Sequence, residues 1–183
     1  MILPIYTYGN AVLRKQTEPV PVDYPELKTL INNMFDTMYH AEGVGLAAPQ
    51  IGLAIRLLII DLAPLMEDNP ELGDFKVVMI NPTMLEQSAE EVGGEEGCLS
   101  IPGIHENVMR AVKIKIKYLD PDFKEHIEEF EDYKARVVQH EYDHLEGHLF
   151  TDRVTPIRRQ LLKSRLTNIV KGKASCSYKV KTA

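Results

Sequence analysis

His140-Glu141-Tyr142-Asp143-His144 constrains the fold more than any other stretch of this sequence. A helix puts two imidazoles four residues apart on one face as neighbours, where they can hold a single metal ion. The Glu between them then lies beside that ion, placed to take a proton from a water. The flanking residues agree with a helix from about Asp132 to Glu146: Ala135, Val138, Tyr142 and Leu145 fall on one side, and Gly147 follows the end.

A chain of 183 residues with 44% hydrophobic and 26% charged content suits one folded domain. The reading is a single catalytic domain over residues 1–170 and a basic C-terminal tail over residues 171–183. No leader-like stretch opens the sequence, and the most apolar window, Leu53 to Leu62, is broken by Arg56 and Asp61. Two cysteines are too few for a disulfide framework. These features point to a cytoplasmic chain with no membrane partner. Net charge is −6, but residues 153–183 carry nine Lys or Arg and no acid, which leaves the first 152 residues at −15. So acidic a body argues against DNA binding, whereas the basic end is a candidate contact for a polyanion such as ribosomal RNA.

Apolar residues at helical spacing predict a first helix over about Pro25 to Glu42, and Thr155 followed by Pro156 opens a third that stops near Gly172. The latter is expected to bury Ile157, Leu161, Leu162, Leu166 and Ile169. Ile55 to Ile60 and Val77 to Ile80 read as short buried strands, the second closed by Asn81-Pro82, with an excursion loop from Ala63 to Asp74 between them. Val112, Ile114, Ile116 and Tyr118 alternate with lysines, as in a strand with one wet face. Strands clustered between helices without regular alternation predict an α+β fold. Its sheets are mainly antiparallel and surround a central helix that carries the His-Glu-x-x-His, with a C-terminal helix to follow.

Two His make an incomplete site, because catalytic sites of this kind use three protein ligands. Some zinc peptidases continue the motif as His-x-x-Gly-x-x-His, and here His144 and Gly147 fit, but Phe150 occupies the third position. His148 is off register, and no acid follows Asp152. Upstream, Glu95-Glu96-Gly97-Cys98-Leu99-Ser100 offers a thiol in a tight segment, so Cys98 is the best third ligand. Glu96, costly to bury alone, is expected to pair with Arg110, and Asp143 to orient a ligand His or nearby backbone. Gly43-x-Gly45-x-x-Ala48 matches a dinucleotide fingerprint, but it follows a helix and Pro49 leaves no room for another. That strip, with the Gln50 amide, suits the edge of a cleft for an extended peptide.

Together, Gly43-Val-Gly-Leu-Ala-Ala-Pro-Gln50, Glu96-Gly-Cys-Leu-Ser100 and His140-Glu-Tyr-Asp-His144 resemble, in order, the three signature segments of bacterial peptide deformylases. The resemblance spans roughly residues 1–170. It implies a metal-dependent hydrolase that removes the formyl group from N-formylmethionyl nascent peptides and releases formate. It further implies that Cys98, His140 and His144 bind Fe²⁺, with Zn²⁺, Ni²⁺ or Co²⁺ as substitutes, and that Glu141 is the general acid/base. By the same resemblance the Gln50 side chain and the Leu99 N–H stabilise the oxyanion, Gly45 backbone groups hold the peptide, and the C-terminal helix contacts the ribosome.

Overall fold

The computed structural model describes residues 1–73 and 75–183. In chain order the elements are β1 (Ile5–Tyr6), α1 (Leu27–His40), β2 (Gly45–Ala47), β3 (Leu57–Asp61), β4 (Lys76–Gln87), β5 (Glu91–Cys98), β6 (Ile101–Ala111), β7 (Lys113–Leu119), β8 (Glu125–Glu131), α2 (Asp132–Leu145), α3 (Pro156–Val170) and β9 (Val180–Lys181). This is the expected α+β architecture. A five-stranded antiparallel sheet runs β2-β3-β4-β7-β8, β5 and β6 form a separate hairpin, and β1 pairs with β9 in parallel.

The position of α2 follows from what its two sides can bury. Ala135, Val138 and Leu145 pack with Leu58, Ile60, Met79, Ile114 and Ile116 of the sheet. The other face of β3, Leu57 and Ile59, packs on Ile31, Met34 and Met38 of α1. With helices on both faces, β3 is an unbroken apolar run rather than an alternating one. A third cluster joins Ile101, Ile104 and Val108 of β6 to Leu162, Leu166 and Ile169 of α3. Thus α2 lies between the sheet and the hairpin, and from Ala135 to Leu145 it is buried throughout except for the half-buried Tyr142.

Several boundaries differ from the expectation, each for a local reason. Asn81-Pro82 does not end the second strand: β4 continues to Gln87 through a register shift between Ile80 and Thr83, where Asn81 takes φ 53°. Such a bulge absorbs the missing proline N–H. The excursion from Ala63 carries two single helical turns, Ala63–Leu65 and Pro70–Leu72, while Asp74 lies outside the described residues. Thr155 caps α3 by accepting from Arg158 N at 3.4 Å, but Ile157 and Leu161 are 75% and 64% exposed, so the buried stripe begins only at Leu162. The lysines of β7 do not merely face water: they cross to β8, with Lys113 at 3.0 Å from both Glu129 and Glu131 and Lys117 at 3.7 Å from Glu125.

Candidate active site

A cleft of about 460 Å³ opens between the β2 strip, the end of the β5 to β6 hairpin and α2, and Gly45, Gln50, Cys98, Leu99, His140 and Glu141 all line it. His144 sits behind them, 1% exposed. One donor atom each from Cys98, His140 and His144 lie within 4.8 Å of one another, with Cys98 Sγ 3.3 Å from His144 Nε2. All seven residues singled out from the sequence are therefore gathered at one place. Three soft or borderline donors with so small a mutual separation fit a single divalent ion.

Each ligand is delivered by a different device. Helical spacing puts His140 and His144 one turn apart, rings edge to face at 5.2 Å. Phe150, in the position a third His would take, is instead 1% exposed and stacks near His140 at 6.1 Å. Cys98 is the last residue of β5 and pairs with Ile101, so Leu99 and Ser100 form the hairpin turn. Two-residue turns favour positive φ, yet neither Leu99 nor Ser100 has it. The turn is held from outside: Tyr8 N donates to the Ser100 carbonyl at 2.8 Å, and Gln50 Nε2 lies 3.3 Å from Ser100 Oγ and 3.4 Å from Cys98 Sγ. The Gln50 carbonyl oxygen accepts from Ala47 N at 2.8 Å, which turns the NH₂ group toward the cleft.

Glycine at position 45 is required by Glu141. A Cβ there would overlap Glu141 Oε1 and lie 2.8 Å from its Cδ, so any side chain would displace the carboxylate. Gly43 makes similar room for Leu99.

Behind the cleft lies a buried ionic network. Arg110 donates to Glu96 through Nε and Nη2, both at 2.9 Å, and to Asp143 at 2.6 Å. Glu96 also accepts from Arg136 at 2.9 Å and faces His140 Nδ1 at 2.9 Å. The expected pairing of Glu96 with Arg110 is present, with Arg110 near the end of β6. Asp143 does not orient a ligand His. It is clamped between Arg110 and Arg153. Arg136 was invisible as a site residue, since a lone Arg on a helix reads as solvated; only the glycine at 94, whose Cβ would lie 2.7 Å from the guanidinium, hints at it.

The electrostatics separate the groups by role. Burial alone would raise Glu96, but the bonds from Arg110 and His140 overcome it and keep the carboxylate ionised well below its ordinary range. Burial opposes a charged His140, yet Cys98 and Glu96 beside it hold its proton well above the usual value. Burial, and then the charge on His140, depress His144 to about 3. Burial lifts Glu141 to about 7, with the His140 charge opposing. Among the described residues His144 Nδ1 and Glu141 Oε2 are buried polar atoms without a hydrogen-bond partner. A thiol and two buried imidazoles with donor atoms within 4.8 Å of one another, beside a carboxylate oxygen without a partner, are what a site built for a cation presents.

Residues 2–160 match the family model described as polypeptide deformylase. The chain is 48% identical over 188 residues to a peptide deformylase of Christiangramia forsetii, covering 99% of this chain and 96% of that protein. Among solved structures it resembles a plant peptide deformylase, with TM-score 0.84 and 35% identity over 93% of this chain and 90% of that one. It also resembles the peptide deformylase of Thermotoga maritima, with TM-score 0.76 and 43% identity over 85% and 99% of the two chains.

Proposed function

The chain belongs to the polypeptide deformylase family, metal-dependent enzymes that remove the N-terminal formyl group from nascent peptides, and from that premise we propose that Cys98, His140 and His144 hold one Fe²⁺ and that Glu141, Gln50 and Leu99 run the reaction. The observation that carries this reading is the convergence of the three ligand atoms within 4.8 Å at the floor of the cleft. Zn²⁺, Ni²⁺ or Co²⁺ would fit the same donors, and a thiolate with two imidazoles favours the borderline-soft ions over Mg²⁺ or Ca²⁺. When bound, the metal supplies an acidified water and polarises the formyl oxygen.

The chain's own groups do the rest. The extended backbone of β2 around Gly45 offers an edge for the peptide of the N-formylmethionyl substrate. Gln50 Nε2, fixed through its oxygen by Ala47, and the Leu99 N–H donate to the charge that develops on the formyl oxygen. Glu141 accepts the water's proton and returns it to the departing amine, leaving formate and a free amino terminus.

Anaerobic purification, metal analysis and formate release from N-formyl-Met-Ala-Ser test the assignment. Gln50→Ala is expected to lower kcat by about 10²–10³-fold with a smaller change in KM, the usual effect of removing one oxyanion donor. An unchanged kcat would remove Gln50 from the mechanism.

The same proposal takes residues 1–170 as the catalytic domain and 171–183 as a basic tail. Among the described residues no helix is long and apolar enough to cross a membrane, and a cytoplasmic location fits a substrate met during translation. Ribosome contact through α3 is supported by the exposed Ile157 and Leu161. Three of its arginines are already engaged: Arg158 with Glu106, Arg159 with the Thr151 and Asp152 carbonyls, and Arg165 with the Gly103 carbonyl. Lys163 and Lys171 are left to meet RNA. Reversing both to Glu is expected to weaken co-sedimentation with ribosomes at low salt; unchanged co-sedimentation would discard the contact.

A further inference from the structure

The C-terminal segment lies beyond the matched residues 2–160, yet it returns to the active site as an extended strap. From Ala174 to Val180 the burial alternates: Ala174, Cys176, Tyr178 and Val180 are half-buried, and Ser175, Ser177 and Lys179 are exposed. The inner residues have defined partners. Ala174 packs on the β6 to α3 cluster, and Tyr178 Oη donates to the Leu99 carbonyl at 2.7 Å. Beyond it, β9 pairs with β1: Ile5 N donates to Lys179 O at 2.9 Å and Thr7 N to Lys181 O at 3.1 Å. Cys176 and Tyr178 both line the cleft.

We propose that Tyr178 is a positioning residue for deformylation, fixing from the C-terminal strap the hairpin turn that carries Cys98 and the Leu99 N–H. That turn lacks the positive φ of the tight turns that match strand twist, and outside partners reinforce its peptide planes. Ser100 is held by Tyr8 and Gln50; the Leu99 carbonyl is held by Tyr178. Leu99 carries its carbonyl and its N–H on two peptide planes that share one Cα. Releasing the carbonyl therefore frees the residue's backbone to rotate and carries the N–H away from a fixed aim. Oxyanion donors act by preorganisation, so even a small loss of aim weakens transition-state binding more than substrate binding. The β1–β9 pairing makes the strap a fixed support rather than a loose end. This rests on the reading of the Leu99 N–H as an oxyanion donor.

Tyr178→Phe keeps the ring and removes only the hydroxyl. In the full-length, metal-loaded enzyme, kcat for N-formyl-Met-Ala-Ser is expected to fall roughly 3–10-fold, the range for one neutral hydrogen bond. KM and metal content should stay within about twofold, since neither ligand nor peptide edge is touched. Gln50→Ala is measured beside it. A normal kcat in Tyr178→Phe with a lowered Tm, while Gln50→Ala is impaired, would make Tyr178 an anchor of the tail alone and overturn the proposal. A raised KM at constant kcat would overturn it too, leaving the strap a wall for the peptide. A normal kcat in both variants would instead bring down the oxyanion reading, and this inference with it.

Discussion

Glu141→Gln is expected to lower kcat by about 10²–10⁴-fold, the span of a lost general acid/base, while the protein folds and keeps its metal. The carboxylate is 4% exposed, and the absence of a Cβ at Gly45 leaves room for its Oε1. Gln fills the same space, so the cleft keeps its shape. What it cannot do is accept a proton. The carboxyl is poised near 7 by burial, the range in which one group can serve as base and then as acid at neutral pH. Its Oε2 has no hydrogen-bond partner among the described residues, so no structural bond is lost on substitution. Replacing a buried, unpartnered carboxylate by a neutral amide removes a desolvation penalty, so the Tm of the metal-free protein should hold or rise. Single-turnover formate release, with metal content and Tm measured on the same sample, checks this. A decline of less than about tenfold would remove Glu141 from proton transfer, and loss of the metal would make it a support of the site.

The helix carrying this Glu was legible because spacing alone fixes its chemistry: His140 and His144 must share a face, and α2 spans Asp132–Leu145 as expected. The run from Leu57 to Ile60 was legible for a similar reason, since few structures bury four successive apolar side chains. The β5 to β6 hairpin was not. On β6 the inward positions are Ile104, Glu106, Val108 and Arg110, all buried, so apolar and ionic residues share one face and the period-2 hydrophobic signal vanishes. β8 was hidden likewise, because its acidic residues answer the lysines of β7 across strands rather than a core. Cys98 was found by exhausting the alternatives downstream. Tyr178 could not be found in that way: its role depends on a chain reversal that brings residues 5 and 180 side by side, and nothing local encodes it. Asp143 meets Arg110 and Arg153 rather than a ligand His, since neighbours on a helix point about 100° apart.

Arg110→Ala should destabilise the metal-free protein by about 3–5 kcal/mol, the cost of leaving buried charge uncompensated, which for a domain of this size corresponds to a Tm fall on the order of 10 °C. Arg110 is 2% exposed and serves two carboxylates at once, Glu96 through both fork nitrogens and Asp143 through Nη1. Without it Glu96 keeps Arg136 as its one arginine, and Asp143 keeps Arg153, but each loses its most buried cation. Volume and charge are separable here. Arg110→Met restores most of the packing and none of the charge, so it should be nearly as damaged as Ala. Arg110→Lys should be intermediate at best, because a single ammonium cannot span both carboxylates in the fork geometry. A second consequence reaches the metal. Glu96 Oε2 is the partner of His140 Nδ1 at 2.9 Å, and a Glu96 freed to turn toward Arg136 alone no longer fixes that ring. Metal affinity is then expected to fall about 10–100-fold, as when a partner behind a ligand is removed. Urea unfolding of the metal-free variants gives the first quantity and competition with a chelator the second. If Arg110→Met unfolds at the wild-type midpoint, the network contributes packing rather than charge; if affinity is unchanged while stability falls, Glu96 orients His140 without help from Arg110.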